Sequence, residues 1–259
     1  MKATIQLKRI SRAVVMVSVL FSSPVLAQPH WSDVDRESVD TIVSQSKYAS
    51  SSANLRVVDL DIAAIKSVVS GAVAKAGSGP TLALPEPNGD TIMFSVEPSG
   101  VLPEALRKKY PSIAAFKGYA VADPSITLRF ELTDKGFNAQ VLQPGSRWMI
   151  DPLAGGSTGL SVIYYTKDTK RSSNSHFCEF EGGVSDPKSQ ADFEKKLFAA
   201  KHSNAAKSSG SQLRTYRLAV AATGEYGVFH GGQKSTILSA VTTTINRVTG
   251  ILEKEMALS

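Results

Sequence analysis

Cysteine is nearly missing from this chain: Cys178 is the only one in 259 residues. No disulfide can therefore form within one molecule, and a fold built from it must rest on buried apolar surface. Histidine is also scarce. His30, His176, His202 and His230 are the four present, and no two stand four residues apart, so no helix carries a pair of imidazoles on successive turns. Long apolar runs are lacking as well; AVVMVSVLF near the N-terminus is the longest, and a permanent membrane helix needs about 20 residues. An excess of one charge is missing too, once the leader is set aside. Lys2, Lys8, Arg9 and Arg12 precede the apolar run, and without them the remaining Lys and Arg nearly balance the 23 Asp and Glu. A nucleic-acid partner is thereby excluded, because such a protein needs a basic face.

The basic start, the short apolar run and the small residues of Val25-Leu26-Ala27 predict a secretory signal peptide over residues 1–27, cut by signal peptidase between Ala27 and Gln28. The expected location is extracellular or periplasmic, with no permanent membrane anchor. About 230 residues remain, enough for one or two domains with real cores. Residues 28–54 are polar and Ser-rich without a sustained period and read as a weakly ordered leader.

From Leu55 the pattern becomes regular. LRVVDLD has strand composition, and IAAIKSVVSGAVAKAG places Ile62, Ile65, Val68, Val69 and Val73 near helical spacing. LALPEPNGDTIMFSV sets Asn88-Gly89 between two apolar runs, a hairpin with Ile92, Phe94 and Val96 on one face. VLPEALRKKYPSIAAFKGYAV predicts a short helix opened by Pro103 and closed near Pro111, then a strand over 116–121. In SITLRFELTDKGFNAQVL, Ile126, Leu128, Phe130 and Leu132 alternate with Thr127, Arg129 and Glu131, before Asp134-Lys135-Gly136 turns the chain into Phe137, Ala139 and Val141. The apolar face is expected to be buried and the Arg129–Glu131 face wet. RWMIDP, LSVIYYTK and HFCEF add three strands, with Asp151-Pro152 read as a turn. Residues 55–181 thus predict a mostly antiparallel sheet with one or two helices packed on it, an α+β fold.

Residues 182–212 have linker composition, charged and then small and polar, and Lys207 and Arg214 offer basic points for a maturation protease. Beyond them, 215–222 alternates like a strand. A helix from about Ser235 carries Ile237, Leu238, Val241, Ile245, Val248 and Leu252 as an apolar stripe, with Thr242, Thr243, Asn246 and Lys254 facing away. A strand and a helix are too little for an independent domain, so residues 213–259 either pack on the preceding sheet or belong to a domain whose remainder is missing; with the helical stripe short of partners they are expected to be poorly ordered or loosely docked.

The run LRTYRLAVAATGEYGVFHGG and the later INRVTGILEKEMAL resemble the start of the catalytic domain in secreted bacterial reprolysin-like zinc metallopeptidases, relatives of the adamalysins within the metzincins. The stretch from LPEPNGDTIMFSVEPSG through ITLRFELTDKGFNAQVL to WMIDP and VIYYTKD resembles that family's propeptide. The resemblance implies a precursor whose pro-region (55–181) assists folding and enforces latency, with its own downstream catalytic domain as partner and zinc as the cofactor of the complete enzyme. That enzyme needs H-E-x-x-H-x-x-G-x-x-H. The motif is not in this chain, which therefore reads as a precursor cut before its active site, with no catalytic residue and no cofactor of its own.

The resemblance also implies one candidate ligand. In related zymogens a prodomain thiolate fills the open position on the catalytic zinc, and Cys178 in NSHFCEFEGG is the one thiol that could do so here. Its flanking residues differ from the better-known switch motifs, and burial as a small hydrophobe is the other reading. Glu225 with His230, and the glycines beside Lys234 and Ser235, read as a surface loop, since neither spacing defines a base pair or a phosphate loop. Tyr164-Tyr165 reads as packing on opposite sheet faces. A second functional class stays open: a stand-alone secreted binding or inhibitor protein derived from such a prodomain.

Overall fold

A computed structural model describes residues 30–46, 48, 55–70, 79–153, 158–169 and 218–256. Among the described residues nine strands form one antiparallel sheet: β1 (Trp31–Asp33), β2 (Arg56–Leu60), β3 (Thr81–Pro85), β4 (Thr91–Pro98), β5 (Ala114–Ala120), β6 (Thr127–Thr133), β7 (Gly136–Gln143), β8 (Ser146–Pro152) and β9 (Leu160–Tyr165). From β3 to β9 the chain meanders between neighbours; β9 then pairs with β2, and β2 with β1, giving the order β1-β2-β9-β8-β7-β6-β5-β4-β3. The result is an α+β protein with a sheet-rich body.

Alternation explains the sheet's inner face. Leu128, Phe130 and Leu132 of β6 point the same way as Phe137, Ala139 and Val141 of β7 and Trp148 and Ile150 of β8, all in one core. Phe130 stacks on Phe116 with ring centroids 4.8 Å apart and tilts against Phe137 at 5.4 Å. The sheet curls around this core towards a barrel. Its two ends are joined through Glu86, just past β3: the Glu86 carboxylate accepts from Tyr165 of β9 at 3.2 Å and Gln143 of β7 at 3.3 Å, and its carbonyl accepts from Arg56 of β2 at 2.6 Å. Helix α2 (Ile62–Ser70), begun by Asp61 accepting from the Ala64 amide at 2.8 Å, adds Ile65 and Val69 to the same core.

Turn chemistry behaves as the sequence predicts. Gly136 has φ of 109° in the β6–β7 connection, a left-handed value that a side chain at that position would resist. The Asn88-Gly89 hairpin joins β3 to β4 with Leu84 opposite Ile92 and Leu82 opposite Phe94. A short helix, α3 (Glu104–Lys109), follows Pro103.

The leader differs from its expected weak order. Residues 36–45 form helix α1 (Arg36–Gln45), capped by Asp35, whose carboxylate accepts from the Glu37 amide at 3.2 Å. Val39 and Val43, four apart, bury one side of α1 with Tyr48 in a second core on the sheet's outer face, against Val57, Val162 and Tyr164. Two valines and a tyrosine in a polar stretch are too few to show as a period, and only the sheet surface beneath gives them a partner.

The C-terminal part differs more. Residues 218–222 are exposed and form no strand; α4 (Gly224–Phe229), capped by Thr223, and the long α5 (Lys234–Met256) follow. Helix α5 takes the first of its two expected outcomes, packing on the preceding sheet, and is not loosely docked: it lies across the outer face of β5, β6 and β7.

Candidate functional site

The outer face of β6 was expected to be wet, yet Arg129 is 4% and Glu131 0% exposed. Helix α5 covers them. It does so with the face expected to point away: Ser239, Thr242 and Asn246 are buried, and Gly250 continues the same stripe at helical spacing. Val248 of the apolar stripe is 44% exposed, and Leu218 and Val220 ahead of α4 and Val228 and Phe229 within it are exposed as well. The physical reason is pairing. A row of charged groups on the sheet is satisfied by polar side chains from the helix, which an apolar stripe could not supply.

The site consists of two charge pairs around an amide and a carboxyl. Arg129 of β6 pairs with Glu253 of α5. Arg247 of α5 pairs with Asp151 of β8 at 2.5 Å, and the other Asp151 oxygen accepts from Tyr164 of β9 at 2.7 Å. Between the pairs, the Asn246 amide nitrogen donates to Glu131 and lies 3.2 Å from the carbonyl oxygens of both Phe116 and Phe130. The Asn246 oxygen accepts weakly from Arg129 at 3.5 Å. Asn246 thus ties the helix to the backbones of two adjacent strands.

Burial sets the electrostatics. It pushes the Glu131 carboxyl up to about 8, against the opposing pull of Asn246, Arg247 and Arg129, while the Asp151 charge adds to the rise. Burial also raises the phenols of Tyr48 and Tyr164, helped by the Asp151 charge. For Arg247, burial works against the cation, but Asp151 outweighs it and holds the guanidinium above its ordinary range. Among the described residues, the second oxygen of Glu131, the Gln140 oxygen and the Arg247 Nε lack a hydrogen-bond partner. Gly250 permits the close approach, because a Cβ there would lie 2.7 Å from the Arg129 Cγ.

The sequence-predicted candidates fall elsewhere. Cys178, Ala27, Gln28, Lys207 and Arg214 lie outside the described residues, as do His176, His202 and the HFCEF segment. Glu225 stands in the first turn of α4 and His230 is its C-cap, so the expected loop is a short helix. The His230 ring packs on Tyr226, with centroids 4.3 Å apart, and lies 3.4 Å from the Lys135 ammonium; burial and that charge lower its pKa. The turn expected at Asp151-Pro152 is instead the end of β8, with both residues paired to β9; the Asp151 side chain becomes the hub of the outer layer, and the IDP spacing holds no signal of partners on β9 and α5. Tyr164 and Tyr165 do face opposite sides, one to Asp151 and the other to Glu86.

Among the described residues no three His, Cys, Asp or Glu side chains are placed to hold a metal ion. No described helix is long and apolar enough to cross a membrane. No family model, curated protein or solved structure matches the chain.

Proposed function

We propose that this chain is the pro-region, with the opening of the catalytic domain, of a secreted zinc endopeptidase precursor of the reprolysin-like kind. In this reading the sheet body is a folding assistant and latency inhibitor, and it has no peptidase activity itself. The observation that supports the reading is the seat of α5. The helix that the resemblance assigns to the catalytic domain rests on the sheet that it assigns to the pro-region, and four of its side chains, Asn246, Arg247, Glu253 and Lys254, bind sheet residues. A surface of that kind can template a helix whose apolar stripe is left for other elements to cover. Zinc belongs to the complete enzyme, and Cys178 is the candidate that would hold it latent.

The same contact favours a second reading, a self-contained secreted binding or inhibitor protein, because a helix with its polar face fully used is already part of the sheet body. Reading the transcript past the Ser259 codon separates the two. An in-frame H-E-x-x-H downstream supports the precursor, and a stop codon in independent isolates overturns it in favour of the second reading.

A further inference from the structure

Inward of Lys254, which lies exposed at the edge and donates to the Ser125 and Leu142 carbonyl oxygens, the layer between α5 and the sheet is short of positive charge by one. Three carboxyls, Glu131, Asp151 and Glu253, face two guanidiniums, Arg129 and Arg247, and each guanidinium is already paired, Arg129 with Glu253 and Arg247 with Asp151. Glu131 is left with an amide, Asn246, and with one oxygen that has no partner among the described residues. Its other neighbours bring no spare cation. On β5, Ala115 is directly opposite, and Lys117 is engaged with Glu97 at 3.3 Å; on β7, Asn138 is opposite and Gln140 is neutral. From β8 comes the Asp151 carboxylate, and Tyr164 donates to that rather than to Glu131. An ionised Glu131 beneath the docked helix would be an uncompensated buried charge, which is costly. Undocked, the same carboxyl would face water and ionise freely.

We propose that seating α5 on the sheet is coupled to a proton on Glu131, so that the helix holds at acid pH and is released as the solution becomes alkaline. The direction follows from linkage. The Glu131 carboxyl, ordinary at 4.5 in water, rises to about 8 under the helix, so its contribution to docking is complete below 4.5 and is lost as pH climbs through 8. Over the steep part of that window the docking equilibrium weakens by about tenfold per pH unit. The two arginine pairs do not cancel this trend, since each is internally balanced. The inference needs only β6, β8 and α5. It does not rest on the peptidase reading, and either can fail without the other.

The test is hydrogen exchange on the full chain from pH 5 to pH 9, corrected for the intrinsic pH dependence of exchange. Protection of the α5 amides should fall steeply between pH 5 and 8 in the wild type and stay level in Glu131→Gln, which keeps the shape of the side chain and cannot ionise. Level protection in the wild type, or an equal fall in the variant, overturns the proposal. Should Glu131→Gln fail to fold, carbon-13 titration of the glutamate carboxyls in the wild type decides instead. One carboxyl titrating near 8 supports the coupling, and a set that titrates wholly below 5.5 removes it.

Discussion

At Asp151 one carboxylate serves two elements, accepting from Tyr164 on β9 and pairing with Arg247 on α5. The pair is worth little as a net source of stability, because both charges were well hydrated before folding. Removing one partner is a different matter. Asp151→Asn keeps the size but leaves the Arg247 guanidinium largely buried without its counter-charge, and about 3 kcal/mol should be lost in urea unfolding at pH 7. A loss under about 1 kcal/mol would mean that water reaches Arg247 well enough to screen it. Glu131 lies in the same layer and behaves oppositely, burial favouring its neutral form. Its strand neighbours show why sequence reading placed it in water: alternation groups Arg129 with Glu131 on one face, but says nothing of what covers that face.

Helix α5 is where the element scale matters, since both of its long faces are coherent at helical spacing. Ile237, Val241, Ile245, Val248 and Leu252 make one stripe and Ser239, Thr242, Asn246 and Gly250 the other. Apolar area normally decides which stripe goes inward. Here the sheet presents Arg129, Glu131, Gln140 and Asp151, and matching these groups outweighs burying valines that stay half covered. Gly250 tests this directly. Alanine is the better helix former by about 1 kcal/mol, so Gly250→Ala on a free face would stabilise α5. With its methyl 2.7 Å from the Arg129 side chain, the variant should instead lower the melting temperature and loosen α5 in hydrogen exchange, at a net loss of about 1 to 3 kcal/mol. A rise in melting temperature would show that Arg129 simply moves aside.

At the scale of the molecule, the described residues form two cores on opposite faces of one curled sheet, the inner from β2 to β9 with α2, and the outer under α1. Limited trypsin treatment should cut first between His202 and Arg214, where small polar residues surround Lys207. The two products should then co-elute on gel filtration at pH 5.5, held together by the α5 contact, with the larger piece retaining α1. Early cuts inside β6 or β7 would reject this arrangement. The intact chain should also be inert towards casein with added zinc, because three zinc ligands and a water are the minimum for such hydrolysis. Chelator-sensitive cleavage by a homogeneous preparation would be the contrary result.

Local structure was legible in the residues themselves: the strands from Leu55 to Tyr165, the glycine turns at Gly89 and Gly136, the helix after Pro103 and the existence of α5 all follow from periods of two and 3.6 and from the φ that glycine permits. These signals act within a few residues, so the sequence carries them openly. What covers each face was settled only by the tertiary structure. The partners of Glu131 and Asp151 lie about a hundred positions away on α5, Glu86 joins β3 to β2, β7 and β9, and α1 exists because a sheet surface awaits its two valines. Periodicity reports which residues share a side; whether a charged side faces water or an answering row of charges depends on the free energy of pairing in a desolvated layer, which no local pattern records.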